Sequence, residues 1–141
     1  MGKNKRNIKI PEIKSGKKIT APKQLLISDI EHPIFCFRYL HRDYGIEQCT
    51  SDEKISLLTR LHQLSSMSWE QIRLASRHGL GTEKIAKTSI RPGIPPISTN
   101  DVDFLLALRF HGNAPFVGHK NNFIFHILYI DRAFNVYPHG N

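Results

Sequence analysis

Phe123-Ile124-Phe125-His126-Ile127-Leu128-Tyr129-Ile130 is an unbroken run of aromatic, β-branched and long aliphatic side chains with one histidine among them. Polar residues do not alternate with apolar ones, so a strand made from it has no water-facing side. That is the pattern of an interior strand covered on both faces. Lys120-Asn121-Asn122 supplies a turn before it, and Asp131-Arg132-Ala133 leads on to a last strand over 134–137, where Pro138 suits an edge or a strand end.

Working back from this run, 115–118 reads as a strand, and His111-Gly112-Asn113 turns the chain from another over 104–110. If that strand reaches His111, period two puts Phe104, Leu106, Leu108 and Phe110 on the core face and Leu105, Ala107, Arg109 and His111 on the other. Arg91-Pro92-Gly93-Ile94-Pro95-Pro96 is a loop, since its prolines forbid regular structure, and a short apolar element lies around Ile85.

Further upstream the pattern is helical. Thr50 and Glu53 have the spacing that lets each side chain satisfy the other's backbone amide at a helix start. Ile55, Leu58, Leu61 and Leu64, with Leu57 beside them, form the apolar stripe that follows, with Lys54, Arg60 and Gln63 facing water. Ser68 and Gln71 repeat the capping signal for a second short helix through Ile72 and Leu74, ended by Gly79, with Trp69 anchoring the hairpin to the sheet. The run 34–40 is the first strand. The expected architecture is α+β: an N-terminal strand and a helical hairpin packed on a C-terminal antiparallel β-meander, forming one domain over 25–141.

Residues 1–24 are a different material. They hold eight Lys or Arg against Glu12 alone, a net of +7 that leaves only +1 for the rest of the chain. Pro11 and Pro22 and the lack of periodicity mark a basic arm without a fold of its own, suited to a polyanionic partner through counterion release from phosphates. No apolar run approaches the ~18 residues of a membrane span, and the start has charge without an apolar signal core, so no membrane association and a cytoplasmic location are expected. Cys36 and Cys49 lack zinc-site spacing and read as reduced structural thiols.

Phosphate-binding loops, dinucleotide fingerprints, zinc-protease helices and serine-hydrolase elbows are all missing. What remains is a constellation in the last third. Arg109 and His111 share a predicted face, His119 and Lys120 lie on the next strand or its turn, and Tyr137 and His139 are two apart. Such groups suit metal-independent RNA cleavage, which needs one base for the ribose 2′-hydroxyl, cations for the transition state and one acid for the leaving 5′-oxygen. Histidine serves either proton role near neutral pH, and tyrosine can stack on a base. His126, between Ile127 and Phe125, reads as a hydrogen-bonded core histidine instead. Separations of 8, 7 and 13 between successive histidines match no metal spacing, so neither a metal nor any other cofactor is expected.

Four segments carry a family resemblance: Ile34-Phe35-Cys36-Phe37-Arg38, Ser68-Trp69-Glu70-Gln71-Ile72 leading to Arg77-His78-Gly79-Leu80-Gly81, Leu108-Arg109-Phe110-His111-Gly112, and Phe125-His126-Ile127-Leu128-Tyr129-Ile130-Asp131. In that order, over Ile34 to His139, the chain resembles the RelE/ParE superfamily of bacterial toxins from type II toxin-antitoxin modules. The resemblance implies a toxin that cuts mRNA, in many members on the ribosome, with a cognate antitoxin protein as partner; other members inhibit gyrase. It places function at Arg109, Lys120, Tyr137 and His139. The basic arm and the loop over 91–96 are longer than the compact family pattern. Together these readings make Arg109 the phosphate or transition-state stabiliser, His111, His119 and His139 the acid-base candidates, and Lys120, Tyr137 and Arg132 the RNA contacts. The alternative is a non-catalytic RNA- or ribosome-binding module in which the arm supplies affinity.

Overall fold

The double-sided apolar run becomes β5, Ile124–Ile130, an interior strand of a five-stranded mixed sheet in the order β1-β5-β4-β3-β2. The computed structural model describes residues 31–97 and 102–139; the basic arm over 1–24, and the start of the domain near residue 25, lie outside the described residues. In chain order the elements are β1 (Ile34–Cys36), α1 (Ser51–Ser65), α2 (Trp69–Leu74), β2 (Thr82–Ala86), β3 (Phe104–His111), β4 (Ala114–Asn121) and β5. The α+β class is as expected. Among the described residues no helix is long and apolar enough to cross a membrane.

Three details of the architecture depart from the sequence reading. The element around Ile85 is a full strand, β2, paired antiparallel with β3, and it opens the β2-β3-β4-β5 meander. The first strand is only three residues long and runs parallel to β5, with Ile34, Phe35 and Cys36 opposite Ile124, Phe125 and His126. The last strand over 134–137 does not form. Phe134 takes a left-handed φ of 60°, which ends extended structure and turns the chain back over the sheet.

Both faces of the sheet carry a buried apolar cluster, covered by different parts of the chain. The two helices cover one face: Leu57, Leu64, Trp69 and Ile72 pack on Leu108, Phe116, Phe125 and Ile127. Both predicted capping boxes are present, with Thr50 and Glu53 on α1 and Ser68 and Gln71 on α2. Trp69 anchors the hairpin as expected, its indole donating to the Phe123 carbonyl at 2.9 Å. The apolar stripe is narrower than read, because Ile55 and Leu58 are 62% and 67% exposed. Arg60, expected in water, is half-buried instead. It donates to the carbonyls of Arg109 at 2.6 Å and Gly79 at 3.1 Å, tying α1 to β3.

The other face is covered by non-regular chain. Val136 and Tyr137 pack on Leu105, Ala107, Val117 and Tyr129, with Tyr39, Tyr44, Ile90 and Ile97 around them. The loop over 91–96 has no helix or strand, as its prolines require. Two hydrogen bonds nonetheless fix it in place. The Arg91 amide donates to the Val136 carbonyl at 2.8 Å, and the Tyr129 hydroxyl donates to the Gly93 carbonyl at 2.8 Å. Together they seat the C-terminal segment on the sheet.

Two bulges set side-chain direction. Between Val117 and Gly118 the register with β5 shifts, so Leu128 and Tyr129 both turn to the face away from the helices. The Leu128 carbonyl that the bulge strands is taken by the His41 amide at 2.8 Å. Only glycine fits at 118, because a Cβ there would collide with the His126 carbonyl and the Phe125 ring. A second shift, between Arg109 and His111, decides the functional face.

Candidate active-site cleft

Period two predicts that Arg109 and His111 point the same way. The bulge between them separates the two. Arg109 turns away from the helices toward Glu83 and Tyr137, while His111 turns to α1, where its Nδ1 lies 2.9 Å from the Ser56 hydroxyl.

The Arg109 side lines a cleft of about 450 Å³ together with Arg77, His78, Glu83, Tyr137 and His139. Glu83, on β2, holds two guanidinium groups: Arg109 Nη2 at 2.7 Å and Arg77 Nη1 at 3.2 Å. Arg109 is 8% exposed, and its Nε and Nη1 are buried without a hydrogen-bond partner among the described residues. Buried guanidinium N–H groups are costly to leave unpaired, and the charge they share suits an anionic ligand. Among the described residues, Glu83 is the one carboxylate on the cleft lining, against the two arginines.

The opposite components come from the folded-back segment. Asp131 is 1% exposed and accepts the Asn135 amide at 2.6 Å, the Val136 amide at 3.1 Å and His139 Nε2 at 3.1 Å. An ionised carboxylate only accepts, so Nε2 of His139 carries the proton and Nδ1 is left as the basic atom. The imidazole is further fixed by Tyr137, whose ring centroid lies 4.0 Å away, and by the edge of Phe134 at 5.0 Å. Left-handed backbone at a phenylalanine costs about 1–3 kcal/mol. Here the Asp131 bonds hold it, and it brings residue 139 back over residue 131.

Tyr137 is buried beside Arg109, and burial pushes its phenol above the ordinary tyrosine range, with Arg109 opposing the shift and Glu83 and Asp131 adding to it. It therefore stays protonated at neutral pH, and its hydroxyl is buried without a hydrogen-bond partner among the described residues. The cleft thus combines an imidazole with a carboxylate behind it, a protonated phenol and a cationic wall, which are the parts that proton transfer at a phosphodiester requires.

Of the residues read from the sequence, Arg109, Tyr137 and His139 meet in this cleft, and the others lie elsewhere. His111 is exposed beside α1. His119 sits toward the far end of β4, its ring 6.4 Å from that of His126, and burial lowers its pKa, with His126 and Lys87 adding to the effect. Lys120 is on the helix-covered side, its Nζ 5.1 Å from the Trp69 ring centroid. Arg132 makes a two-pronged pair with Glu53 at the start of α1, at 2.7 and 3.2 Å, and holds that carboxyl below the usual range. His126 is only half-buried, packed edge-on by Tyr39 at 5.8 Å, and its Nδ1 has no hydrogen-bond partner among the described residues, unlike the bonded core histidine expected.

Asp131, Glu83, Arg77 and His78 belong to the cleft or its support and carried no sequence signal of catalysis. An aspartate followed four and five residues later by the amides it caps reads as turn chemistry. Its contact with His139 depends on a fold-back that no spacing rule encodes. Among the described residues no cluster of His, Cys, Asp and Glu has the geometry to hold a metal ion. Comparison of the chain with protein-family models, with curated proteins and with solved structures finds no match in any of the three.

Proposed function

We propose that the cleft is the reaction site of a metal-independent endoribonuclease of the toxin type, acting on mRNA. The carrying observation is the buried Asp131 behind His139, facing Arg109, whose Nε and Nη1 are unpartnered, and Tyr137 in one cleft. In this reading His139 Nδ1 takes the proton of a ribose 2′-hydroxyl. The 2′-oxygen attacks the adjacent phosphorus, and the 5′-oxygen leaves with a proton from His78, giving a 2′,3′-cyclic phosphate and a 5′-hydroxyl. Arg109 and Arg77 bind the phosphate oxygens and offset the charge that builds on them, and Tyr137 donates a hydrogen bond. His139 and Arg109 keep the roles the sequence suggested, whereas Tyr137, 4% exposed, offers a hydroxyl in place of a ring for stacking on a base.

The test uses the full chain, a single-stranded RNA with a fluorophore and a quencher, and EDTA throughout. Cleavage should persist in EDTA, yield cyclic phosphate ends, and fall by about 10²–10⁴-fold in His139→Gln with an unchanged melting temperature. In growing cells, Arg109→Ala combined with His139→Ala should relieve arrest and mRNA cleavage. RNA that binds with a steep salt dependence but is never cut would instead establish the non-catalytic RNA- or ribosome-binding module. A double variant as toxic as the parent would remove the cleft from the mechanism.

A further inference from the structure

On the opposite side of the sheet a second, smaller depression is built from aromatic and cationic side chains. It measures about 230 Å³ and lies between α2 and strands β2, β3 and β4. Trp69 and Phe104 supply its rings, Lys84, Lys120 and Arg73 its positive charge, and Glu70 is the one carboxylate on its lining. Lys84 Nζ stands 4.6 Å from the Phe104 ring centroid, and Lys120 Nζ 5.1 Å from that of Trp69. Phe104 is 40% exposed and presents its ring to solvent, whereas Trp69 is 4% exposed and forms the floor.

We propose that this groove binds a base and the flanking phosphates of single-stranded RNA, as a second contact for the strand that is cut in the cleft. Aromatic platforms paired with a positive groove are the general means of holding single-stranded nucleic acid, because every base has a stacking face and every linkage a negative charge. Three cations against one carboxylate fit a polyanion. The exposed Phe104 ring supplies the stacking surface, and the ammonium groups already poised over the rings lie within reach of the phosphates on either side of a stacked base.

The strand directions make the two sites continuous. Along β2, Glu83 points to Arg109 and the cleft, whereas Thr82 and Lys84 point to the groove. β2 is an edge strand, so a polynucleotide turning round that edge meets both surfaces without crossing the body of the protein. Arg73 lines the groove and Arg77 the cleft, which carries positive charge from one to the other. The RNA identity of the occupant rests on the ribonuclease reading; the groove and its charge do not.

Trp69 is the only tryptophan in the chain, so its emission reports on the groove. The full chain is titrated with a non-cleavable 2′-O-methyl oligouridylate carrying an end label, reading label anisotropy and Trp69 emission together, with the matching duplex as a second probe. Saturable quenching in step with anisotropy is expected for the single strand. Phe104→Ala and Lys84→Ala, both at exposed side chains and checked by thermal melting, should each weaken binding roughly tenfold. Binding that leaves Trp69 emission unchanged, equal affinity in the two variants and the parent, or equal quenching by the duplex would overturn the proposal. Cleavage by the His139 variant bears on the cleft alone: a cleft that fails with a groove that binds, and the reverse, are separate results.

Discussion

Asp131→Asn changes one atom and tests the geometry of the cleft more sharply than a truncation does. In the wild-type protein Oδ1 accepts the Asn135 amide, and Oδ2 accepts both the Val136 amide and His139 Nε2. Asparagine has a single oxygen. Whichever way its amide is turned, its NH2 group faces at least one N–H donor in a site that is 1% exposed. A buried unsatisfied donor costs about 1–3 kcal/mol, and the remaining bonds lose the strength that the carboxylate charge gave them. We expect a loss of about 3 kcal/mol, read by calorimetry as a fall in Tm on the order of 10 °C. Activity on RNA, measured below the new Tm, should drop by about 10²–10⁴-fold, because the proton on Nε2 is no longer held and Nδ1 is no longer reliably the basic atom. His139→Gln is the control: Asp131 keeps both backbone amides, so activity should fall as far with little change in Tm. Asp131→Asn melting with the wild type, or cutting RNA at the wild-type rate while folded, would refute the role assigned to the pair.

Two further outcomes are expected. Leu64, with no exposed surface, should cost about 2–5 kcal/mol on Leu64→Ala in a urea melt, whereas Leu58→Ala on the same predicted stripe should stay within about 0.5 kcal/mol because Leu58 is 67% exposed. His119 has a lowered pKa, so the folded state resists its protonation: stability is unaffected well above the ordinary histidine value of 6.5 and declines as pH falls below it toward the folded value. Melting scans from neutral to mildly acid pH should show a smaller decline in His119→Gln than in the wild type, and parallel curves would count against this.

The bulge in β3 and the fold-back act together on the cleft. Had β3 continued without interruption, His111 would flank Arg109 and the helices would lose its contact with Ser56. The shift instead leaves Arg109 beside Glu83 and Tyr137, with its backbone carbonyl held by Arg60 from across the sheet. Arg109 is thus fixed from both sides, by α1 through its backbone and by β2 through its guanidinium. Pre-positioned charge of this kind needs no rearrangement when a substrate's charge develops.

Local patterns were sufficient for the helix starts and the interior strand, though not for the last strand, which does not form. The capping pairs Thr50 and Glu53, and Ser68 and Gln71, located both helix starts, because a capping box is satisfied within four residues. The apolar run before Asp131 marked an interior strand, and prolines excluded regular structure from 91–96, since both effects depend on the segment's own side chains. Facing direction was another matter. One extra residue at a bulge reverses every side chain beyond it, and the residue before the bulge looks the same in sequence whether the bulge is present or not. The sequence therefore named Arg109, Tyr137 and His139 among its candidates but grouped them with His111, His119, Lys120 and Arg132. Only the tertiary structure, through the shift at residues 109–111 and the Asp131-centred turn that replaces the last strand, decided which of them share a cleft, because that depends on contacts between segments distant along the chain.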